Sequence, residues 1–522
     1  MKKPFISHTY IFMATLLLMG GCASLPENVE KQASYAYVDT QNTRLYKNSL
    51  DAMKQHPEQS GYLLLPNGLD AFVARVAFAR RAERSIDTQY YMIHNDVVGS
   101  LFIDQLYKAA ERGVRVRLLV DDIDQEGRDF DVAVLDSHPN IEVRIFNPFA
   151  RNVGRLQQYI SGFGKQTRRA HNKSFTVDNQ VTILGGRNIG DEYFEADWEM
   201  GFVDMDVIAV GPVAGEVSAS FDQYWNNALS YPISTLVENP PTPEEITQRM
   251  ATFHDFIAQQ ADSTYLQHLR DSDLANRIRQ KRIVYHWGPG DVIADDPEKL
   301  TQDTSEKKYR LSEKLRPYMD DIQKELIIFS PYFVPGKPGM AFFKQLRDRG
   351  VQVRIITNSL ASTDVGIVHA GYMRYRKDLL RMGVLLYEMN SNLSRQERKA
   401  IKEGSIGRSK SSLHTKCFVL DRETAFIGSL NLDPRSIVQN TEIGVVLKSE
   451  PIAGYIADTF DRHINQVAFQ LELQKDKNGV DRLIWHGLVD GEKQTFNHDP
   501  YTGFWQRMGV GFMRILPIES QI

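Results

Sequence analysis

His171-Asn172-Lys173-Ser174-Phe175-Thr176-Val177-Asp178 is followed, after six residues, by Gly185-Gly186-Arg187-Asn188. The same arrangement returns 243 residues later as His414-Thr415-Lys416-Cys417-Phe418-Val419-Leu420-Asp421 and Gly428-Ser429-Leu430-Asn431. Both copies read H-x-K-x4-D, six residues, then G-[GS]-x-N. Each holds two apolar runs separated by a polar turn, which in the first copy is Asp178-Asn179-Gln180. That pattern predicts a strand, a tight turn and a second strand. Alternate side chains of a strand share a face, so His171 and Lys173 are expected to point together, as are His414 and Lys416.

The repetition extends outward from the motif. Glu111-Arg112-Gly113-Val114-Arg115-Val116-Arg117 is answered by Asp348-Arg349-Gly350-Val351-Gln352-Val353-Arg354. Before each lies a helix-like stretch (102–112 and 341–349), and before that a strand-like one (85–93 and 326–333). Residues 141–146 read as a further strand. A β-α-β unit leading into the same motif twice predicts tandem α/β domains, each a mixed or mostly parallel sheet flanked by helices. The expected limits are 60–270 and 271–470. A polar lead-in (22–59) precedes them and a C-terminal extension (471–522) follows. Residues 229–284 are charged and contain Pro240-Pro241, which fits helices outside the sheets and the crossover between repeats.

A chain of 522 residues is too long for one core and suits two domains. A net charge of -4 gives no global attraction to nucleic acid, so none is expected as a partner. The N-terminus looks like an address. Lys2 and Lys3 precede a short apolar run that ends Leu18-Met19-Gly20-Gly21-Cys22. Small residues before a cysteine fit a bacterial lipoprotein signal (1–21), with Cys22 lipidated; Met19 stands where Leu is usual. An ordinary secretory signal and an uncleaved anchor are the alternatives. A lipid-anchored, extracytoplasmic, membrane-associated protein is expected. Ser24 leans toward the outer membrane without deciding it. Cys417, in an apolar run, reads as a buried strand residue.

Two further segments have two readings each. Residues 391–412 are polar and basic, either a plain surface loop or a substrate-entrance loop. Residues 504–516 put aromatics beside Arg507 and Arg514, either a helix at a membrane surface or one docked on the core.

A phosphodiester attacked without a metal needs a nucleophile, an acid for the departing alkoxide, and cations around the phosphoryl oxygens. The paired motifs offer two histidines, two lysines (Lys173, Lys416) and two amide donors (Asn188, Asn431). His-x-Lys gives one ligand beside one repelling cation, so neither a metal nor another cofactor is expected. A neutral imidazole is useful only if a carboxylate holds its far nitrogen. Asp204 and Glu442 follow the two motifs and are assigned to that task, with the pairing left open. Asp178 and Asp421 have two readings, a direct catalytic part or the capping of a turn.

These residues resemble the phospholipase D superfamily with its paired H-x-K-x4-D motif. The stretches at 168–194 and 412–442 would mark any member. The stretch TNSLASTDVGIVHAGYMRYRKDLL (357–380), with His369 and Tyr372, is similar to its bacterial cardiolipin synthase branch. The resemblance implies tandem domains sharing one active site, phospholipid substrates at a membrane surface, and no obligate protein partner. It implies that His171 attacks phosphorus to give a phosphatidyl-histidine while His414 serves as acid and base. Phosphatidylethanolamine or phosphatidylglycerol would donate the phosphatidyl group, and phosphatidylglycerol would accept it to give cardiolipin. A hydrolase releasing phosphatidic acid is the alternative, and an endonuclease a weaker one.

Overall fold

The computed structural model describes residues 24–26, 29–161, 167–194, 202–280, 282–392 and 412–514. The expected signal peptide and Cys22 lie outside the described residues, as does most of the 391–412 segment. Two mixed sheets dominate the chain. In the first, Ser85–Tyr90, Arg115–Asp121 and Ile141–Phe146 run parallel. Ser174–Val177 joins Ser85–Tyr90 antiparallel, and Val181–Gly185, Asp206–Val210 and Ser60–Leu65 follow in antiparallel order. The second sheet repeats this arrangement. Glu325–Phe329, Gln352–Thr357 and Leu385–Met389 are parallel. Cys417–Leu420, Thr424–Gly428, Ile443–Lys448 and Gly290–Ala294 complete the antiparallel side.

The repeated Glu/Asp-Arg-Gly-Val letters mark how each crossover helix ends. Helices Val97–Glu111 and Gly336–Asp348 are both followed by a left-handed glycine, Gly113 at φ 88° and Gly350 at φ 83°. The next amide then reaches back, Val114 to Ala109 and Val351 to Leu346, and the chain turns into the following strand.

The two halves share a core. Leu184, Val207 and Ala209 of the first sheet belong to one buried cluster with Ile427, Val445 and Leu447 of the second. Helices from the charged 229–284 segment, Pro243–Gln259, Thr264–Asp271 and Asp273–Arg279, lie against the first half. The strand His286–Gly288 still pairs with Ser60–Leu65, so the first sheet reaches past residue 270. After residue 470 the chain stays in the second sheet through Asp481–Val489 and Glu492–Phe496. His369 and Tyr372 lie in the helix Gly366–Tyr372, beside a buried network. There Arg376 binds Glu388 and Asp499, each at 2.9 Å, and ties the C-terminal segment to the sheet.

Helix Phe504–Met513 has one covered side and one open side. Val510 is buried with Leu360 and Ala370, so one side docks. Phe504, Trp505, Met508 and Phe512 stay exposed on the other. Among the described residues no helix is long and apolar enough to cross a membrane.

Candidate active site

The site forms where the two motifs meet. His171 and Lys173 lie just before the strand Ser174–Val177, and His414 and Lys416 just before Cys417–Leu420. The amide of His171 donates to the carbonyl of Thr441 in the other half at 2.8 Å. The amide of Thr441 donates to the carbonyl of Arg169 at 2.9 Å. On the opposite side, the short strands Phe202–Val203 and Ser412–Leu413 pair in parallel. Each half thus supplies backbone that frames the other's histidine.

The carboxylates cross in the same way. Glu442 Oε2 lies 2.9 Å from His171 Nδ1, and Asp204 Oδ2 lies 2.6 Å from His414 Nδ1. Sheet register explains why these two are equivalent. Gly185 faces Asp206 and Gly428 faces Gly444, which sets Asp204 and Glu442 at matching positions two residues earlier. Glu442 is fixed further by its amide donating to Asp295 at 2.8 Å. The glycine of the first motif is a matter of space. A Cβ at Gly186 would stand 2.4 Å from Asp204 Oδ1, whereas Ser429 at the matching place bonds the backbone of Ile443.

Burial governs the charges. Burial and the two motif lysines lower the His171 imidazole to about 4, against the pull of Glu442. Burial and Lys416 lower His414 as well. Lys173 is lowered by burial to about 7, and Lys416 in the same direction. Burial pushes Asp204 and Glu442 up, but His414 and His171 with the neighbouring lysines more than offset it and hold both ionised. Each imidazole is therefore neutral at pH 7, with Nδ1–H donated to a carboxylate, which makes Nε2 the basic nitrogen of each ring. Lys416 acts on His171 and Lys173 on His414, so both motifs contribute to one field.

These shifts have a sign. A histidine whose folded value lies below its free value of 6.5 stabilises the fold above pH 6.5 and loses that contribution as pH falls toward about 4. The lowered carboxylates act in the same direction. Acidification from pH 7 to 4.5 is expected to destabilise the wild type more than His171→Gln, with a difference on the order of 2–3 kcal/mol. Equal losses in thermal melts would refute the assignment.

Asp178 and Asp421 have the geometry of the capping alternative. Asp178 Oδ1 accepts the amides of Arg84 at 2.7 Å and Ser85 at 3.0 Å, and its carboxylate also takes that of Glu83. Asp421 takes Gln323, Lys324 and Glu325 in the same manner. Both sit at positive φ in the turn at the far end of the strand from the histidine. They tie that turn to the start of the neighbouring strand, which is the capping alternative. Asp178→Ala is expected to cost about 3 kcal/mol of stability, because three amides lose a charged acceptor. Its kcat below the melting temperature should stay within a few-fold of wild type. A much larger loss of kcat in the folded variant would return Asp178 to the chemistry.

Asn188 and Asn431 stand at equivalent places. Asn188 Nδ2 donates to the Tyr193 hydroxyl at 2.9 Å and Asn431 Nδ2 to Ser436 Oγ at 3.4 Å, while neither carbonyl oxygen has a partner. Two groups escaped sequence reasoning. The Tyr91 ring meets His171 edge-on at 4.8 Å, and Tyr193 meets His414 at 5.2 Å. The doubled tyrosine at the end of the strand Ser85–Tyr90 was the available signal for Tyr91; Tyr193 had none. Cys417 is buried, and burial pushes its thiol up, as fits a strand residue. Among the described residues no group of three metal-ligating side chains gathers here or elsewhere.

Residues 76–225 and 315–464 each match the family described as "Cardiolipin synthase, PLD-like domain". The chain belongs to this cardiolipin synthase family of PLD-like proteins. Cardiolipin synthase C of Escherichia coli (strain K12) is 40% identical over 91% of this chain and 99% of its own length. An uncharacterized protein of Helicobacter pylori is 32% identical over 97% and 99%. The fold is shared with the phosphatidylserine synthase of Haemophilus influenzae Rd KW20. That match has a TM-score of 0.55 and 12% identity, and covers 90% of this chain and 97% of the other. Membership of the cardiolipin synthase family makes the protein an enzyme of the PLD superfamily, with the family's domain present twice.

Proposed function

We propose that the chain is a phosphatidyltransferase of the cardiolipin synthase C type. It moves a phosphatidyl group from phosphatidylethanolamine or phosphatidylglycerol to a second phosphatidylglycerol, giving cardiolipin. The observation that carries this reading is the crossed pairing, His171 with Glu442 and His414 with Asp204. In the first step His171 Nε2 attacks phosphorus and the bond to the leaving alcohol breaks. His414, which gains its proton as the anionic phosphodiester enters, delivers it to the departing oxygen. In the second step the acceptor hydroxyl gives its proton to His414, its oxygen attacks phosphorus, and the P–N bond to His171 breaks. Lys173 and Lys416 hold the phosphoryl oxygens, and the amides of Asn188 and Asn431 complete the cradle. The choice of His171 as nucleophile follows the family habit.

Incubation of purified protein with labelled phosphatidylethanolamine and phosphatidylglycerol tests the reading. Cardiolipin is expected. Phosphatidic acid alone would make the chain a hydrolase, and no lipid product would reject both. A chelator should leave turnover unchanged, since no step uses a metal.

Membrane attachment is assigned to a lipid on Cys22, outside the cytoplasm, helped by the exposed Phe504, Trp505, Met508 and Phe512. Cys22→Ala should release the protein into the soluble fraction with kcat on detergent-dispersed lipid intact. A fully membrane-bound variant would remove the anchor as the main attachment.

A further inference from the structure

Helix Pro243–Gln259 buries none of its residues, although its sequence is amphipathic. Ile246, Met250, Phe253 and Ile257 recur at spacings of four, three and four, as one face of a helix does. That face is partly covered, with none of the four fully buried. Part of the reason lies next to Met250 and Phe253, in a cavity of about 400 Å³. Leu118 and Val120 of the first sheet and the helix residues Ile103 and Val132 also line it. The space is partly open to solvent, so a guest can enter it. A mostly apolar space that a helix spans without filling suits an apolar guest.

The cavity is not remote from the histidine pair. His94 and Asn95 line one part of it. His94 is held between Asp124 at 3.0 Å and Glu192 at 2.9 Å. Its ring stands 6.5 Å from that of Tyr193, which in turn meets His414 at 5.2 Å. From the cavity to the site the order is apolar space, polar rim, phosphate cradle. A phospholipid has the same order: hydrocarbon, ester and glycerol, phosphate.

We propose that this cavity takes one acyl chain of the lipid whose phosphate lies between His171 and His414, with helix Pro243–Gln259 as its roof. The proposal rests on the reading of the site as one for phospholipids. The roof is held by Arg249, which binds Asp131 on the same lining through two contacts of 2.6 Å, and by His254, whose ring meets Tyr107 at 5.7 Å. A methylene occupies nearly the roughly 30 Å³ of a liquid water, so the cavity holds about a dozen of them.

The test is calorimetric binding of hexyl-, octyl-, decyl- and dodecylphosphocholine below their micelle concentrations to the whole protein. Wild-type affinity is expected to rise on the order of tenfold for each two methylenes. Val132→Trp, from the wall, and Met250→Trp, from the roof, should each flatten that dependence and weaken dodecyl binding at least tenfold. Phe253→Trp adds a readout that needs no filled cavity. Its fluorescence should be quenched by a dodecyl chain brominated at its end and not by glycerophosphocholine. No gain with chain length, or a gain that survives both filled variants, would overturn the proposal. A gain without turnover of any phospholipid would keep the cavity and reject the proposed reaction. Turnover without a gain would do the reverse.

Discussion

His171→Ala and His414→Ala are each expected to lower turnover of a natural phospholipid by about 10⁴-fold or more, and the double variant by little beyond either single one. The two imidazoles act on one phosphorus in sequence, so losing either stops the cycle, and groups that work as a unit are not additive. The two variants should differ on an activated ester. p-Nitrophenolate departs without a proton, so His414→Ala should still form a covalent phosphohistidine on His171, seen as a burst of nitrophenol. His171→Ala should give no burst. A burst confined to His171→Ala would exchange the two roles. Activity within tenfold of wild type in either variant would end the shared-site mechanism.

Glu442→Gln and Asp204→Asn are expected to cost between about 10² and 10⁴ in kcat, with little loss of fold. Both carboxylates are fully buried, and each accepts from an imidazole Nδ1. An amide keeps the shape but no longer stabilises the imidazolium, and it favours the wrong tautomer. The crossed pairing makes a sharper forecast. Asp204→Asn impairs His414, so a p-nitrophenyl ester should restore much of its burst rate. Glu442→Gln impairs His171, and the same ester should restore little. Rescue of Glu442→Gln instead would mean that each carboxylate serves the step assigned to the other.

Much of the fold was legible because it is written in local periods. The apolar runs on either side of Asp178 and Asp421 made hairpins, and the shared Arg-Gly-Val letters made the helix ends at Gly113 and Gly350. The limit near residue 270 was not, because His286–Gly288 is a three-residue edge strand whose partner Ser60–Leu65 lies far away in sequence. Asp178 and Asp421 were ambiguous for a related reason. A carboxylate repeated in a motif reads alike whether it faces a substrate or three backbone amides, and only the path of the neighbouring strand separates the two. The surface of Phe504–Met513 needed the position of Leu360 and Ala370 before its outward face could be told from its docked one.

The amino-acid sequence alone determined two halves of one α/β plan, each bringing a His-x-Lys to the start of a strand, since spacing along a strand and apolar period follow from backbone geometry. The tertiary structure decided that Glu442 serves His171 and Asp204 serves His414, and that two tyrosines stand against those rings. Those partners are 271 and 210 residues away along the chain. Contacts across such separations are set by how two sheets share a core, and no local pattern encodes them.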